Sequence, residues 1–156
     1  MKYCLDTNFF LILWYEYYSP EVFIDFWDKL IELAKKKVCY IPAAVYEEIV
    51  SGGKKEKEDL LAGYLKDNKE VFIYDFDDTI ETCLINLIKN EEVVEMIDNK
   101  NLRNSADLFV MAYAKYFNSK VVTLDKKLIS VCRKNNIIPI RPFEFIKENG
   151  ISFVIK

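Results

Sequence analysis

Short apolar runs separated by longer amphipathic stretches set the rhythm of this chain. Residues 3–5 form an apolar run that stops at Asp6, and residues 9–14 form a second one after Thr7 and Asn8. This reads as a buried strand, a carboxylate at its C-terminal end, and a helix that begins at once. Ser19-Pro20-Glu21 carries helix-start signals. Val22, Phe23, Phe26, Trp27, Leu30, Ile31, Leu33 and Ala34 then recur at helical spacing as far as the lysines 35–37. Residues 38–41 read as a second strand closed by Pro42, followed by a helix over 43–50 that Gly52 and Gly53 end. Residues 54–69 read as a polar helix with a sparse stripe at Leu60, Leu61, Tyr64 and Leu65. A third strand is expected at 71–74, a helix from Asp77 or Asp78 to Ile88, and helix then loop over 90–102. Asn104 or Ser105 caps the apolar helix that contains 108–114. A fourth strand at 120–124 stops at Asp125, a helix follows over 126–135, and a fifth strand lies at 137–140. Pro142 starts a last helix, and 151–155 is a candidate edge strand. Strands alternating with helices imply βαβ units and a parallel sheet, so the fold class is α/β.

Composition narrows this picture. A length of 156 residues fits one domain. A hydrophobic content of 51% argues against disorder. The absence of histidine excludes His general-base chemistry, His-containing zinc sites and Ser-His-Asp triads. Cys4, Cys39, Cys83 and Cys132 form no Cys-x-x-Cys pair and read as free thiols in a reducing compartment. A net charge of −3 means that a nucleic-acid partner would need a local basic patch or metal ions. No apolar stretch approaches membrane-spanning length and no leader pattern opens the chain, so the expectation is a soluble cytoplasmic protein with no membrane partner.

Candidate chemistry rests on acids. Asp6 and Asp125 end strands, Glu47 and Glu48 lie early in a helix that follows a strand, and Asp107 lies in the first turn of a helix. In open α/β sheets ligands sit outside the carboxyl ends of the strands. Each acid alone is weak evidence, and capping of the next helix accounts for Asp6 or Asp107 by itself. Together they suggest a carboxylate cluster whose mutual repulsion a hard divalent cation would relieve. Oxygen donors suit Mg²⁺ or Mn²⁺ rather than Zn²⁺. A competing constellation is Asp75-Phe76-Asp77-Asp78-Thr79, which resembles the Asp-x-Asp-x-Thr nucleophile motif of haloacid dehalogenase-type phosphatases. That motif normally opens its domain, and no later paired-acid segment follows here. The simpler account is a turn with Asp77 or Asp78 capping the next helix.

Asp6-Thr7-Asn8 after an N-terminal strand, Val45-Tyr46-Glu47-Glu48-Ile49, Ala106-Asp107 before an apolar helix, and Val121-Val122-Thr123-Leu124-Asp125 resemble, in order and spacing, the motifs of PIN domains. They also resemble a PIN-like family of prokaryotic proteins close to the VapC toxins. The resemblance covers nearly the whole chain, and its most specific part runs from Asp107 to Asp125; residues 90–101 lie outside it. It implies a three-layer α/β/α PIN-like fold, as a single domain over 1–156, with a parallel sheet of five strands, or six if 151–155 joins. It implies a metal-dependent endoribonuclease that hydrolyses RNA phosphodiester bonds, often the toxin of a type II toxin–antitoxin pair. Carried over by position, Asp6, Glu48, Asp107 and Asp125 form the acidic quartet. Asp6, Asp107 and Asp125 are then the ligands of Mg²⁺ or Mn²⁺, with Thr7 and Asn8 in support. Glu48 is preferred because an aliphatic residue follows it, and Glu47 is the fallback. Implied partners are an RNA substrate and a cognate antitoxin. Tyr15, Tyr17 and Tyr18 hint at a homodimer surface, and Lys54, Lys55, Lys57, Lys126, Lys127 and Arg133 are candidate phosphate contacts. The alternatives are a non-catalytic PIN-like scaffold that binds RNA or protein, and the phosphatase centred on Asp75 and Asp77.

Overall fold

Tyr3, Cys4 and Leu5 are all buried and form β1 (Tyr3–Leu5). The computed structural model describes residues 1–52, 60–97 and 106–152. A run buried on both faces suits the middle of a parallel sheet, and β1 lies there. The other strands are β2 (Cys39–Pro42), β3 (Ile73–Tyr74), β4 (Lys120–Val122) and β5 (Pro139–Ile140). The five-stranded sheet has the order β3-β2-β1-β4-β5, and every pairing is parallel. Tyr3 and Cys4 align with Cys39 and Tyr40 on one side and with Lys120 and Val121 on the other. Strand order reverses between β1 and β4. Chains leaving those two neighbours diverge and open a crevice at their carboxyl ends.

Helices cover both faces. They are α1 (Thr7–Ile12), α2 (Ile24–Lys35), α3 (Ala43–Ser51), α4 (Leu60–Asp67), α5 (Lys69–Phe72), α6 (Asp78–Leu87), α7 (Glu91–Ile97), α8 (Ala106–Phe117), α9 (Lys126–Lys134) and α10 (Pro142–Glu148). α1 runs on into a π-helical turn, Leu13–Tyr17. Successive strand residues point to opposite faces, and β2 shows which helices go where. The Cys39 thiol lies 3.9 Å from the Leu30 carbonyl of α2, whereas the Tyr40 ring packs on Tyr113 and Phe117 of α8. Helices α2 and α8 therefore flank the sheet from opposite sides, which gives the three-layer PIN-like architecture.

The α2 side carries an aromatic core built on Trp27, whose ring lies 4.7 Å from Trp14, 5.0 Å from Phe26 and 5.5 Å from Tyr64. Its indole N–H donates to the Tyr18 carbonyl at 2.6 Å, so the one polar atom of the ring is satisfied. The α8 side is packed by small and branched residues: Leu108, Val110, Met111, Ala112 and Ala114 are all buried.

Several boundaries differ from the pattern reading. Ser19-Pro20-Glu21 forms a turn, because the Ser19 carbonyl accepts from the backbone N–H groups of Val22 and Phe23; α2 starts only at Ile24. Val22 is consequently 73% exposed. Residues 69–72 coil into α5, which shortens the third strand to Ile73–Tyr74. Leu60 does not belong to the apolar stripe, being 64% exposed, while Leu61 and Leu65 are buried. Tyr18 packs against Phe23 and Phe26, so only Tyr15 and Tyr17 of the three tyrosines are exposed. Ile151 and Ser152 have no regular structure, and the rest of the candidate sixth strand lies outside the described residues. So do Gly53, Lys54, Lys55, Lys57 and the proposed caps Asn104 and Ser105. Among the described residues no helix is long and apolar enough to cross a membrane.

Trp27→Ala should lower stability by about 3–5 kcal/mol, read as a lower urea midpoint with an unchanged denaturant slope.

Candidate functional site

Asp6 is the first residue after β1 and the N-cap of α1, and it is only 3% exposed. Its extended backbone (φ −85°, ψ 163°) turns the carboxylate into the crevice beside β4. Oδ1 accepts from the Thr7 backbone N–H at 2.8 Å. Oδ2 accepts from the Thr123 hydroxyl at 2.8 Å. Thr123 follows β4 directly and is fully buried. The same hydroxyl lies 3.3 Å from Asn8 Oδ1 and accepts from the Asp125 backbone N–H at 3.1 Å. A hydroxyl has one proton, and the shorter contact to Asp6 takes it. Asn8 Oδ1 also accepts from the Leu124 N–H at 3.2 Å, which ties the start of α1 to the end of β4. Asp6, Thr7, Asn8, Thr123 and Asp125 are thus one connected unit across the switch point.

Asp125 caps α9, its Oδ1 accepting from the N–H groups of Lys127 at 2.9 Å and Leu128 at 3.0 Å. Asp107 lies half-buried in the first turn of α8. Three helix N-termini therefore face this crevice, each with the positive end of its dipole next to a carboxylate. That support does not balance the charge. Burial raises the Asp6 carboxyl most, the Asp107 carboxylate raises it further, the hydrogen bonds from Thr123 and Thr7 lower it, and Asp125 raises it again; the net result is a pKa of about 7. No cation figures among these causes. Asp6 and Asp107 also act on the buried Cys132 thiol, which burial pushes up to about 12.

The donor set fits a hard divalent cation by chemistry: carboxylate, amide and hydroxyl oxygens, with negative charge in excess. Thr7 Oγ1, next to Asp6, is buried with no hydrogen-bond partner among the described residues. Among the described residues no three Cys, Asp or Glu side chains are grouped to hold an ion by themselves. Mg²⁺ needs no such cage, since it is usually held by one or two carboxylates and keeps several waters.

Glu47 and Glu48 lie on the helix that follows β2. Both are exposed on α3. They line an open groove of about 560 Å³ together with Ala43, Ala44, Phe76, Ala106, Phe109 and Tyr113. Ala106, which lines the groove, immediately precedes Asp107 in α8. The structure therefore brings Asp6, Asp107 and Asp125 into electrostatic contact and puts the two glutamates on the adjoining wall. Thr123 is a site residue that sequence reasoning passed over; its signal was a hydroxyl interrupting an apolar run two residues before an acid.

The phosphatase constellation is not assembled. Asp75 is exposed beyond the edge strand β3, and Asp77 caps α6 by accepting from Ile80 N–H at 2.9 Å. Lys126 and Lys127 are exposed beside Asp125, whereas Arg133 lies in the last turn of α9, at the opposite end from the crevice.

The raised Asp6 carboxyl sets a pH dependence. Its folded pKa of about 7 exceeds the ordinary 3.8, so its contribution to stability is complete below about pH 4 and is lost as pH rises towards 7. Asp6→Asn removes that loss. The amide can still accept from Thr7 N–H and donate to Thr123, whose own proton then turns to Asn8. Without added metal, Asp6→Asn should be more stable than wild type at pH 8, by up to about 4 kcal/mol, and should show no gain at pH 4. Thermal unfolding at the two pH values checks this.

Known structures share this fold. The chain is similar to the crystal structure of VapBC2 from Rickettsia felis bound to a DNA fragment from their promoter, with a TM-score of 0.61 and 21% identity over 90% of this chain and 98% of that one. It is similar to the crystal structure of FitAcB from Neisseria gonorrhoeae, with a TM-score of 0.58 and 19% identity over 90% and 98% of the two chains. FitAB bound to an IR36 DNA fragment gives a TM-score of 0.57 and 18% identity over 90% and 95%. No curated protein matches the sequence significantly. The family model described as a domain of unknown function, DUF4411, matches residues 3–153. With the family model spanning almost the whole chain, the chain belongs to the DUF4411 family, and it shares the PIN-like fold of the VapC and FitB proteins.

Proposed function

We propose that this protein is a Mg²⁺- or Mn²⁺-dependent endoribonuclease, and that it acts as the toxin of a toxin–antitoxin pair. The observation that carries the reading is the Asp6 carboxylate: it is buried at the switch point of the sheet, and the charges of Asp107 and Asp125 both press on it. A fold gains no stability from such an arrangement. It is explained by a cation that the three acids share.

Asp6 and Asp107 would be the principal ligands, with Asp125 completing the set through the oxygen that does not cap α9. When bound, the ion supplies charge neutralisation at a phosphodiester and makes water more acidic. The chain's own residues do the rest. Thr123 and Thr7 N–H fix both oxygens of Asp6 and so hold it in one orientation. Asn8 accepts from the Leu124 N–H and holds the backbone after β4 in register with α1. Glu48, or its neighbour Glu47, stands on the groove wall, where it can accept a proton from an attacking water. Lys126 and Lys127 are placed to meet phosphate beside Asp125. The partner in this reading is an antitoxin, by analogy with the VapBC and FitAB assemblies. Tyr15 (59% exposed) and Tyr17 (61% exposed) give a homodimer an apolar surface to use.

Mn²⁺ at a hundred times its dissociation constant should stabilise the wild type by about 2.7 kcal/mol, and Asp6→Asn should lose that gain. The same variant should cut RNA at least about a hundredfold more slowly while keeping the wild-type circular dichroism spectrum. A protein that shows neither the Mn²⁺ stabilisation nor metal-dependent cleavage would instead be a scaffold that binds without cutting.

A further inference from the structure

The groove between α3 and α8 contains features that the carboxylate unit does not explain. Tyr113 lines it and is fully buried, yet its hydroxyl has no hydrogen-bond partner among the described residues. The Ala43 backbone N–H acts on that oxygen, but a donor there leaves the hydroxyl proton without an acceptor. An unpaired buried hydroxyl costs about 1–3 kcal/mol, so one kept at the wall of an open groove points to a ligand with an acceptor atom. Phe76 is 43% exposed at the groove, with its ring 5.6 Å from Phe109 in an edge-to-face pair. Ala43, Ala44 and Ala106 keep the space between α3 and α8 open, and Glu47 and Glu48 add carboxylate acceptors.

We propose that this groove is a base-binding subsite, which takes one nucleobase, guanine best, of a single-stranded RNA whose phosphate lies at the Asp6–Asp107–Asp125 crevice. The inference rests on the ribonuclease reading and names the part of its substrate that is recognised. Exposed aromatic rings stack on bases of unpaired strands. Guanine presents two adjacent donors, N1–H and the N2 amino group, which match the two oxygens of a carboxylate, and its ring acceptors can receive the Tyr113 proton. Uracil offers one N–H. The glutamates repel phosphate, which favours entry of the base over the backbone, and Ala106 of the groove directly precedes Asp107 of the crevice. A cationic peptide would also suit the acidic wall, and its backbone carbonyls could accept the Tyr113 proton; the exposed Phe76 ring, on which a flat base stacks, favours the nucleobase.

The test uses Asp6→Asn protein, which is not expected to cleave, in low salt. Labelled hexaribonucleotides are compared by fluorescence anisotropy: one all-uridine, one with a single central guanosine. Guanosine should bind about tenfold more tightly. Adding Phe76→Ala should abolish that preference, and the exposure of Phe76 keeps the fold out of question. Adding Tyr113→Phe should weaken guanosine binding severalfold without lowering the thermal midpoint, which separates a ligand role from a structural one. Equal binding of the two oligomers, a preference that survives Phe76→Ala, or an arginine-bearing hexapeptide that outcompetes the guanosine oligomer would overturn the proposal. Failure of the ribonuclease reading shows separately, as wild-type protein that does not cut RNA with Mn²⁺, because the base preference is read without cleavage.

Discussion

One carboxylate in a nearly dry crevice sets the terms for this molecule. Asp6 accepts two hydrogen bonds, each worth about 1.5–3 kcal/mol when the acceptor is charged. Against them stand the loss of water around a buried ion, several kcal/mol even after relaxation, and the repulsion of two neighbouring carboxylates. The unfavourable side prevails, as the upward displacement of the Asp6 carboxyl records. The fold holds a group that it does not fully stabilise, and the imbalance sits where a doubly wound sheet opens to ligands.

The packing around the crevice makes that imbalance sustainable. α8 touches β1, β2 and β4 and lies against α3 and α6, so Asp107 is carried by one of the most firmly seated helices of the fold. On the other face, the aromatic cluster around Trp27 fixes the segment that follows Asn8. Asp6 therefore cannot relieve its strain by swinging out to solvent without unpacking α1, whose Phe9 and Phe10 are fully buried. Site geometry here is a consequence of core packing on both sides of the sheet.

How much of this could be read in the sequence depended on range. Elements whose pattern is local are legible: the runs ending at Asp6 and Asp125, a cap at Asp77 or Asp78 that the structure resolves to Asp77, and the apolar helix after Asp107. Boundaries set by backbone hydrogen bonds are not. Ser19-Pro20-Glu21 has the residues of a helix start, yet the Ser19 carbonyl closes a turn first. The short third strand was hidden because Val71 and Phe72 suit a buried helical turn as well as a strand. The three aspartates were legible because each ends a strand or opens a helix at the same edge. Thr123 was missed because a threonine near a strand end is ordinary; its meaning comes from Asp6, which lies 117 residues away in the chain and 2.8 Å away in space. The groove was not legible at all, since its walls come from three separate stretches.

The π-helical turn at Leu13–Tyr17 has a consequence for evolution by insertion and deletion. A wider turn accommodates one residue beyond the α-helical count, and each residue advances a helix by about 100°. Here the phase delivers Trp14 onto Trp27 and Tyr64 while Tyr15 and Tyr17 look outward. Loss of a single codon in this stretch would rewind it to α-helical pitch and rotate the indole away from its partners. The outward tyrosines can therefore be replaced with far less disturbance than any change in the number of residues between Asn8 and Tyr18.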